Sequence, residues 1–594
     1  MARSVAAGVA AGAAQAPRTP RWSAPEPAPW PMRALALVVA LVVTGPALAP
    51  GYVLLRDMVF VPRQDLDLDA LGLGGTLPRA VPVDAVMGVL TAVVPGQLLQ
   101  KAVLLALVYA AVLGAARLVP PAADGRRGAA AAVAGLVYGW SPYLAERLLL
   151  GHWTHLLAFA ALPWIARAAL RVRDGVPRAL PALVLALAPA ALSPTGSLLA
   201  AGVVLAVLGR RAGRALVAVL VLSLPWLAAG LLHPSGGGSD PTGVAAFAAR
   251  AEHWGGSVLS VLGTGGIWNA GAVPPSRASV MAPVLTVALV ALAVAGWAAT
   301  RPLRGPARGL LVLGGVGVLL GCAGTLPGLA GLLEVTVAHV PGGGLLRDGQ
   351  KWVAWWALPL AVGAGLGVRS LGALARERAG RGAAAGVVVA GLLLPLLAVP
   401  DLAWGVGGRL QPVTYPDDWA RVRAAVAADP QPGDVLVLPL GAYRAFAWND
   451  DRTVLDPAAR WLPRPVVTDD TLVVGELTVA GEDRRARAAR AAVDDPAALA
   501  RLGVGWVLVE RGTPGPAVPP EIAALPAVVT GPDLVLHRVP GAVDAAGPAP
   551  VRVTAVVLAH ALAAGAVVGS ALWIMRSAST VPARRRPRGK RVKE

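Results

Sequence analysis

Apolar runs of about 20 residues recur along this chain, a length that lets a helix cross the hydrocarbon core of a bilayer. Hydrophobic residues make up 56% of the 594 residues, charged residues make up 15%, and the mean hydropathy is +0.62. Soluble globular proteins carry about 25% charged residues. The sequence therefore predicts a polytopic α-helical membrane protein and argues against a soluble enzyme or a mainly disordered chain. The single cysteine, Cys322, excludes an intramolecular disulfide and a cysteine zinc cluster.

Positive charge lies in short clusters between the apolar runs, and the formal net charge is +19. The clusters fall at alternate loops, as the positive-inside rule describes. Because the charge is not gathered on one soluble face, we expect contacts with membrane lipids and no nucleic-acid partner. The alternation predicts a multi-pass protein of the cytoplasmic membrane with both termini in the cytoplasm. The clusters comprise Arg126 and Arg127; Arg171, Arg173 and Arg178; Arg210, Arg211 and Arg214; Arg301, Arg304 and Arg308; Arg369, Arg376, Arg378 and Arg381; and the tail from Arg584 to Lys593.

The apolar runs predict about twelve membrane helices. Residues 179–208 lie between two basic clusters but are too few for two full spans, and Pro194 and Gly196 interrupt them. We expect a hairpin of two short helices there, either spanning or re-entrant. The other predicted spans are 34–55, 98–118, 128–144, 154–170, 215–232, 281–299, 309–326, 352–368, 383–399 and 551–574.

Residues 401–550 differ from the rest because they are rich in charge and lie between two predicted spans. Helical spacing at 417–428 and 483–500 alternates with apolar strands at 434–439, 505–510 and 533–538, which predicts a small α/β domain. The predicted division of the chain is a disordered cytoplasmic tail (1–33), a transmembrane domain (34–400), an extracytoplasmic α/β domain (401–550), a C-terminal transmembrane helix (551–575) and a basic cytoplasmic tail (576–594).

The loop after the first predicted span, residues 56–85, is called the first outer loop. Asp57 opens it beside Arg56, at the membrane surface, where a carboxylate can act as general base towards a sugar hydroxyl. An ordinary juxtamembrane charge is the alternative. Asp65, Asp67 and Asp69 alternate, so a strand would place them on one face, where a divalent cation could join them. A solvated polar face is the alternative for these three.

A second group of ionisable residues lies at the outer end of a predicted helix pair. It contains Glu146, Arg147, His152 and His155. Ionisable residues at such a depth are costly and often functional. Alternatively, Glu146 and Arg147 simply neutralise one another. The two histidines, three residues apart, could contact a metal from one helix face, although two ligands alone make a weak site.

A third group follows the glycines at 342–344, which allow a sharp turn. Arg347 and Lys351, four residues apart, would share a face if this segment begins a helix. A guanidinium fork and an ammonium group both suit phosphate oxygens. A lipid-headgroup anchor is the alternative. The long outer loops also carry tryptophans, such as Trp254 and Trp268, that either bind sugar rings or form an interface belt.

Three short motifs accompany the aspartate that follows the first span. They are Glu-Arg at 146–147 with Gly-His-Trp at 151–153; Gly-Gly-Ile-Trp-Asn at 265–269 with Pro-Ser-Arg at 275–277; and Leu-Arg-Asp-Gly-Gln-Lys-Trp at 346–352. Together they resemble the GT-C superfamily of membrane glycosyltransferases, in particular the arabinofuranosyltransferase-like actinobacterial branch, over residues 34–399. The resemblance implies transfer of a sugar from a polyprenyl-phosphate carrier to a cell-envelope glycan or lipid acceptor outside the membrane. The family base, an acidic residue of the first outer loop, would be Asp57, although Arg56 stands where the family usually has a second acidic residue.

These observations leave three functional hypotheses. If the protein is a glycosyltransferase, Asp57 accepts the proton of the acceptor hydroxyl, and Arg347 and Lys351 hold the donor phosphate. No nucleotide is needed, and a divalent cation is a possible cofactor. A non-catalytic scaffold of envelope assembly is favoured by Arg56 and by the exported domain. A transporter or flippase is less favoured, because no inverted repeat is visible. The candidate substrate-binding residues are Arg56, Glu146, Arg147, His152, Trp268 and Asn269.

Overall fold

The computed structural model describes residues 29–122, 125, 127–233, 238–300, 303–544 and 547–578. Almost all of the two predicted cytoplasmic tails, 1–33 and 576–594, lies outside these residues. The longer helices are Trp30–Thr44, Val83–Thr91, Gly96–Leu118, Gly128–Gly139, Pro142–Leu149, Trp153–Arg173, Ala179–Leu187, Pro194–Leu208, Gly213–Leu231, Ala282–Ala298, Pro306–Ala323, Pro327–His339, Ala354–Ala398, Asp417–Ala428, Arg484–Ala491 and Pro550–Ala578.

Seven helical segments within the described residues are long and apolar enough to cross a membrane. Two further apolar segments, Ala179–Leu192 and Ala282–Ala298, are shorter. The chain is thus confirmed as a mainly helical multi-pass membrane protein, whereas the predicted count of about twelve helices is not confirmed. The seven segments are Trp30–Leu48, Gly96–Leu118, Trp153–Arg173, Gly213–Leu231, Pro306–Ala323, Gly349–Ala398 and Pro550–Arg576.

Two helical hairpins follow the breaks that the sequence indicates. Residues 179–208 form two short helices, and the second begins at Pro194, where the Ser193 side chain caps the helix by accepting from the Gly196 amide. The long helix Ala354–Ala398 is interrupted at Gly380, which has φ 85°. A Cβ on Gly391 would lie 2.3 Å from Cγ2 of Val368. The chain therefore folds back on itself between these residues.

Three predicted elements end earlier or divide. The first helix stops at Thr44, because Gly45 and Pro46 begin a short 3₁₀ turn, so the predicted span 34–55 was too long. The predicted span 128–144 is broken at Trp140 and Ser141, and Ser141 caps a separate helix. The predicted helix 483–500 is two helices, the second opening at Pro496.

Loops predicted to share one side of the membrane contact one another. Arg79 of the first outer loop donates to Asp470 of the sheet-containing region at 2.5 Å. At the other end of the bundle, Arg173 of one basic cluster donates to the Val207 carbonyl, just before the next cluster, at 2.9 Å. Both contacts join segments that the charge pattern assigns to the same side of the membrane.

The sheet domain, residues 412–539, contains a five-stranded mixed sheet. The strand Asp434–Leu438 pairs in parallel with the edge strand Val466–Val467 and with the central strand Val504–Glu510. Leu534–Arg538 and Ala527–Thr530 continue the sheet in antiparallel pairing. One buried apolar cluster lies on each face.

The chain on both sides of Asp57 is attached to the sheet domain. Leu54, Val59 and Val61 are buried in the cluster that contains Trp419 and Trp506. The strand Tyr52–Val53 pairs with Pro412–Val413. The residue between these anchors, Asp57, is therefore held where the sheet domain meets the membrane helices.

Candidate active site

Asp57 is positioned by a tight turn packed against the loop at 150–151. Its amide donates to the Leu150 carbonyl at 3.1 Å. Gly151 has φ 74°, and a Cβ there would lie 2.1 Å from the Met58 nitrogen. Only glycine both adopts this conformation easily and leaves room for the neighbouring backbone. In the Gly-His motif, Gly151 therefore leaves room for the turn at Asp57, and His152 contacts the Asp57 side chain.

The Asp57 carboxylate is held at both oxygens. His152 Nε2 lies 3.0 Å from one oxygen, and the Tyr443 hydroxyl donates to the other at 2.6 Å. The carboxylate side chain remains 37% exposed. Since each carboxylate oxygen can accept about two hydrogen bonds, acceptor capacity remains on an accessible group.

The partner of the second ring nitrogen fixes the tautomer of His152. Its Nδ1 lies 2.9 Å from Nη1 of Arg147. A guanidinium only donates, so Nδ1 must accept and the proton of neutral His152 is on Nε2, facing Asp57. Burial lowers the pKa of His152, against the opposing effect of Asp57. The neutral imidazole is therefore a hydrogen-bond donor to the carboxylate.

Asp57 is held ionised by its surroundings. Burial alone would raise its pKa, but the hydrogen bonds from His152 and Tyr443, and the charge of Lys351, keep the pKa below its ordinary value. Conversely, burial and the adjacent Asp57 charge raise the pKa of Tyr443 well above its usual range. The pair is therefore a carboxylate and a neutral phenol at physiological pH.

A buried ion pair supports His152 from behind. Arg147 has a side chain that is 0% exposed, and it donates to both oxygens of Asp348, at 2.8 and 2.9 Å. Its Nε donates to Gln350 at 2.7 Å. Arg147, despite burial, holds the pKa of Asp348 well below its usual range. Asp348 and Gln350 therefore fix the guanidinium that orients His152.

Glu146 belongs to a second buried group rather than pairing with Arg147. It accepts from the Ile267 amide and from Gln350, both at 3.2 Å. Burial and the nearby carboxylate of Glu252 raise its pKa well above the ordinary value. Glu252 itself pairs with Arg277 at 2.9 Å. Burial therefore favours the neutral form of Glu146, and the group holds the Gly-Gly-Ile loop in place through the Gly266 and Ile267 amides.

Arg347 and Lys351 do not lie on one helical face, contrary to the sequence expectation. Two separate 3₁₀ turns, Gly343–Leu346 and Gly349–Val353, replace the expected helix start. Lys351 Nζ lies 3.8 Å from Asp348 and acts on Asp57 through its charge. Arg347 pairs with Glu482 of the sheet domain at 3.1 Å.

The remaining substrate-binding candidates lie around the same centre. The Trp268 ring packs edge-on against Phe247 at 4.9 Å, and the Arg347 guanidinium lies over Phe247 at 5.5 Å. Asn269 accepts from the Gly271 amide at 2.9 Å. Asp57, His152, Arg147 and Lys351 are brought together, while Trp268 and Arg347 meet through Phe247.

Arg56 donates to the backbone of a neighbouring loop and forms no ion pair with Asp57. Its Nη1 donates to the Leu149 carbonyl at 2.5 Å. Its Nη2 would lie 2.7 Å from a Cβ built on Gly271. Arg56 has φ 47°, in the left-handed region that few non-glycine residues adopt.

The alternating aspartates do not form the expected strand face. Asp65 pairs with Arg423 at 2.6 Å, Asp67 accepts from the Ala70 amide, and Asp69 accepts from Thr76. The segment that carries them has no strand. Among the described residues, no group of three His, Cys, Asp or Glu side chains is arranged to hold a metal ion.

Sequence reasoning missed Tyr443, Asp348, Gln350 and Glu252. Asp348 and Gln350 stand inside a quoted motif, so the signal was present but was assigned to the flanking basic residues. Tyr443 is separated from Asp57 by 386 residues, and no local pattern links the two.

No family model matches this chain, and no curated protein matches its sequence. Among solved structures, a cryo-EM structure of arabinofuranosyltransferase AftD from mycobacteria matches with a TM-score of 0.53 at 18% identity, covering 88% of this chain and 40% of that one. A mutant form of AftD matches with a TM-score of 0.53 at 19% identity, covering 86% and 42%. This chain thus spans about two fifths of the length of those proteins. The expected resemblance is confirmed in three dimensions: the chain shares the fold of the arabinofuranosyltransferase AftD.

Proposed function

We propose that this chain is a membrane glycosyltransferase of cell-envelope assembly, which moves a sugar from a polyprenyl-phosphate carrier to a glycan or lipid acceptor. The accessible, ionised carboxylate of Asp57, held by His152 and Tyr443, carries the proposal. The AftD-like fold supports it at the level of reaction class. We further propose that this site lies outside the cytoplasmic membrane and that both termini lie inside.

The proposed reaction forms one bond and breaks one bond at the sugar. The acceptor hydroxyl oxygen attacks the anomeric carbon, and the bond from that carbon to the phosphate oxygen breaks. Polyprenyl phosphate leaves with the bonding electrons, and Asp57 takes the hydroxyl proton. His152 and Tyr443 each hold one oxygen of the carboxylate in place, and 37% of the side chain stays accessible.

Two cationic residues are proposed to receive the donor phosphate. Lys351 is the nearer to Asp57, and its three ammonium donors are not exhausted by a single contact of 3.8 Å to Asp348. Arg347 must share its guanidinium between the phosphate and Glu482. A cationic group aimed at the leaving phosphate stabilises the charge that develops there.

The base is tested by Asp57→Asn, which keeps the side-chain shape but cannot accept the proton. We expect transfer of labelled sugar from a polyprenyl-phosphate donor to fall by about 10²–10⁴-fold in membranes. Asp494→Asn, an exposed carboxylate of the sheet domain, is the matched control. Undiminished transfer by Asp57→Asn would remove Asp57 from the mechanism. Wild-type membranes that transfer nothing from any donor would favour a scaffold instead.

The phosphate site is tested by donor binding to purified protein. A charged hydrogen bond contributes about 1.5–3 kcal/mol, so Arg347→Ala should weaken polyprenyl-phosphate binding by about ten- to a hundred-fold. Arg347→Lys should recover only part, because the fork is lost. Glu482→Gln frees Arg347 and should tighten binding. If Glu482→Gln and Arg347→Ala weaken binding equally, the pair serves to dock the sheet domain and not to bind phosphate.

A further inference from the structure

A pocket of about 380 Å³ opens beside the first outer loop, and Asp57 is not part of its wall. Three arginines from separate parts of the chain line it: Arg56, Arg409 and Arg452. Gln411 and Asp450 complete its polar lining. The pocket therefore joins the first outer loop, the segment that enters the sheet domain, and the sheet domain itself.

The pocket has an excess of positive charge. Asp450 is the one carboxylate in its wall; it lies 3.4 Å from Arg452, and its side chain is 77% exposed. Among the described residues, Arg56 and Arg409 each have no carboxylate within ion-pair distance. Burial, and then the charge of Arg409, lower the pKa of Arg56, and the weaker opposing effects of Asp57 and Tyr443 do not offset them. The two guanidinium groups therefore repel one another in a partly desolvated site, and an anion would relieve that repulsion.

The arginines are held in place and keep donors in reserve. Arg409 donates to the Gly271 carbonyl at 2.5 Å, and Arg452 donates to the Gln411 carbonyl at 2.7 Å. Nη2 of Arg452, the nitrogen that lies 3.4 Å from the Asp450 carboxylate, is buried and makes no hydrogen bond within the described part of the chain. A guanidinium has five N–H donors, so each arginine can still offer some to a ligand. Their backbone contacts reduce the entropy lost on binding.

The backbone around the pocket is strained. Arg56, Asp450 and Asp451 have φ of 47°, 54° and 52°. Residues 404–407, which lead into Arg409, are left-handed throughout. Strained backbone of this kind clusters at functional sites.

We propose that this pocket binds a phosphorylated sugar or polyol. Guanidinium forks match phosphate oxygens in pairs, which accounts for three arginines in one wall. A volume of about 380 Å³ exceeds the need of a bare phosphate and falls within the range of about 300–1,000 Å³ for small-molecule sites. The phosphate is carried either by a soluble or glycan-borne sugar or by a lipid headgroup. The proposal does not depend on the transfer reaction.

The test is calorimetric binding of ribose 5-phosphate to the purified full chain, with ribose as the uncharged probe. We expect ribose 5-phosphate to bind and ribose not to bind. Loss of one charged hydrogen bond costs about 1.5–3 kcal/mol, so Arg409→Gln should weaken binding at least about tenfold. Arg501→Gln removes an exposed arginine of the sheet domain and should change nothing.

Asp450→Asn keeps the test informative if Arg409→Gln misfolds. Asp450 is exposed, and asparagine tolerates its left-handed conformation. Removing the one negative charge should tighten ribose 5-phosphate binding. Competition by nanodiscs with phosphatidylinositol, but not with phosphatidylcholine, would assign the phosphate to a lipid; absence of competition would assign it to a soluble or glycan-borne sugar. Equal binding of ribose and ribose 5-phosphate, or an affinity that none of these variants changes, would overturn the proposal.

Discussion

Asp348→Ala should destabilise the protein severely, because it leaves the Arg147 guanidinium buried without its counter-charge. Two hydrogen bonds, of 2.8 and 2.9 Å, are lost from a side chain that is 0% exposed. Breaking a buried ion pair from one side costs about 3–5 kcal/mol. Arg147 keeps its contacts with Gln350 and His152, so we expect a loss near the lower limit, about 3 kcal/mol.

The double variant Arg147→Met/Asp348→Leu separates stability from function. Replacing both members of a buried pair with apolar residues of similar volume is often neutral or stabilising. His152 would, however, lose the guanidinium that fixes its tautomer, so its Nε2–H would no longer be directed at Asp57. We expect a folded protein with stability near that of the wild type and with strongly reduced sugar transfer.

The measurement is unfolding by sodium dodecyl sulfate titration in mixed micelles, followed by tryptophan fluorescence, with sugar transfer measured in parallel. Arg63→Gln is the control, since Arg63 is 67% exposed and lies 4.0 Å from Asp65. If Asp348→Ala unfolds at the same denaturant concentration as Arg63→Gln, the buried pair does not contribute as argued. If the double variant keeps full transfer, the link from Arg147 through His152 to Asp57 is refuted.

Two further substitutions test the surroundings of Asp57 and the first outer loop. Tyr443→Phe removes a charged hydrogen bond of about 1.5–3 kcal/mol and should reduce sugar transfer about ten- to a hundred-fold. Tyr415→Phe is the control, because it loses only a hydrogen bond to a backbone carbonyl and should not reduce transfer. Equal losses of transfer in the two variants would indicate a general effect of the sheet domain. Burial and the charge of Asp67 raise the pKa of Asp69 to about 6, above its ordinary 3.8. The folded state therefore binds the Asp69 proton more tightly than the unfolded state does. The stability that protonated Asp69 contributes is present below about pH 4 and is lost as the pH rises through about 6. The asparagine in Asp69→Asn cannot ionise, so the free energy of unfolding of this variant should fall less than that of the wild type between about pH 4 and 6. The same pH dependence in the variant and the wild type would contradict the raised pKa of Asp69.

Local patterns predicted the elements of this fold well. The helix Asp417–Ala428 and the strand Asp434–Leu438 follow their apolar periods, and the hairpin break at Pro194 follows from its missing N–H. The divided helices were harder to predict. Ser141, for example, ends one apolar helix and caps the next without interrupting the hydropathy.

The site was only partly predictable, because its contacts are long-range. Asp57 and His152 were each named from their own segments, but nothing local joined them. The spacing of Arg347 and Lys351 predicted one helical face. Asp348, which lies between them in the sequence, instead forms an ion pair with the buried Arg147. The chain forms two 3₁₀ turns at that point, so the two cations do not share a helical face. A strong tertiary ion pair thus overrode a weak local preference.

The sheet domain is best understood as a component of the site. Its Tyr443 holds one oxygen of Asp57, and its core contains Val59, from the same loop as Asp57. Its Glu482 holds Arg347, the cation proposed to receive the donor phosphate. A shift of the domain would therefore change the position of the carboxylate and free Arg347 at the same time. The sheet domain thus contacts both the carboxylate and the proposed phosphate ligand, although Asp57 and Arg347 are far apart in sequence.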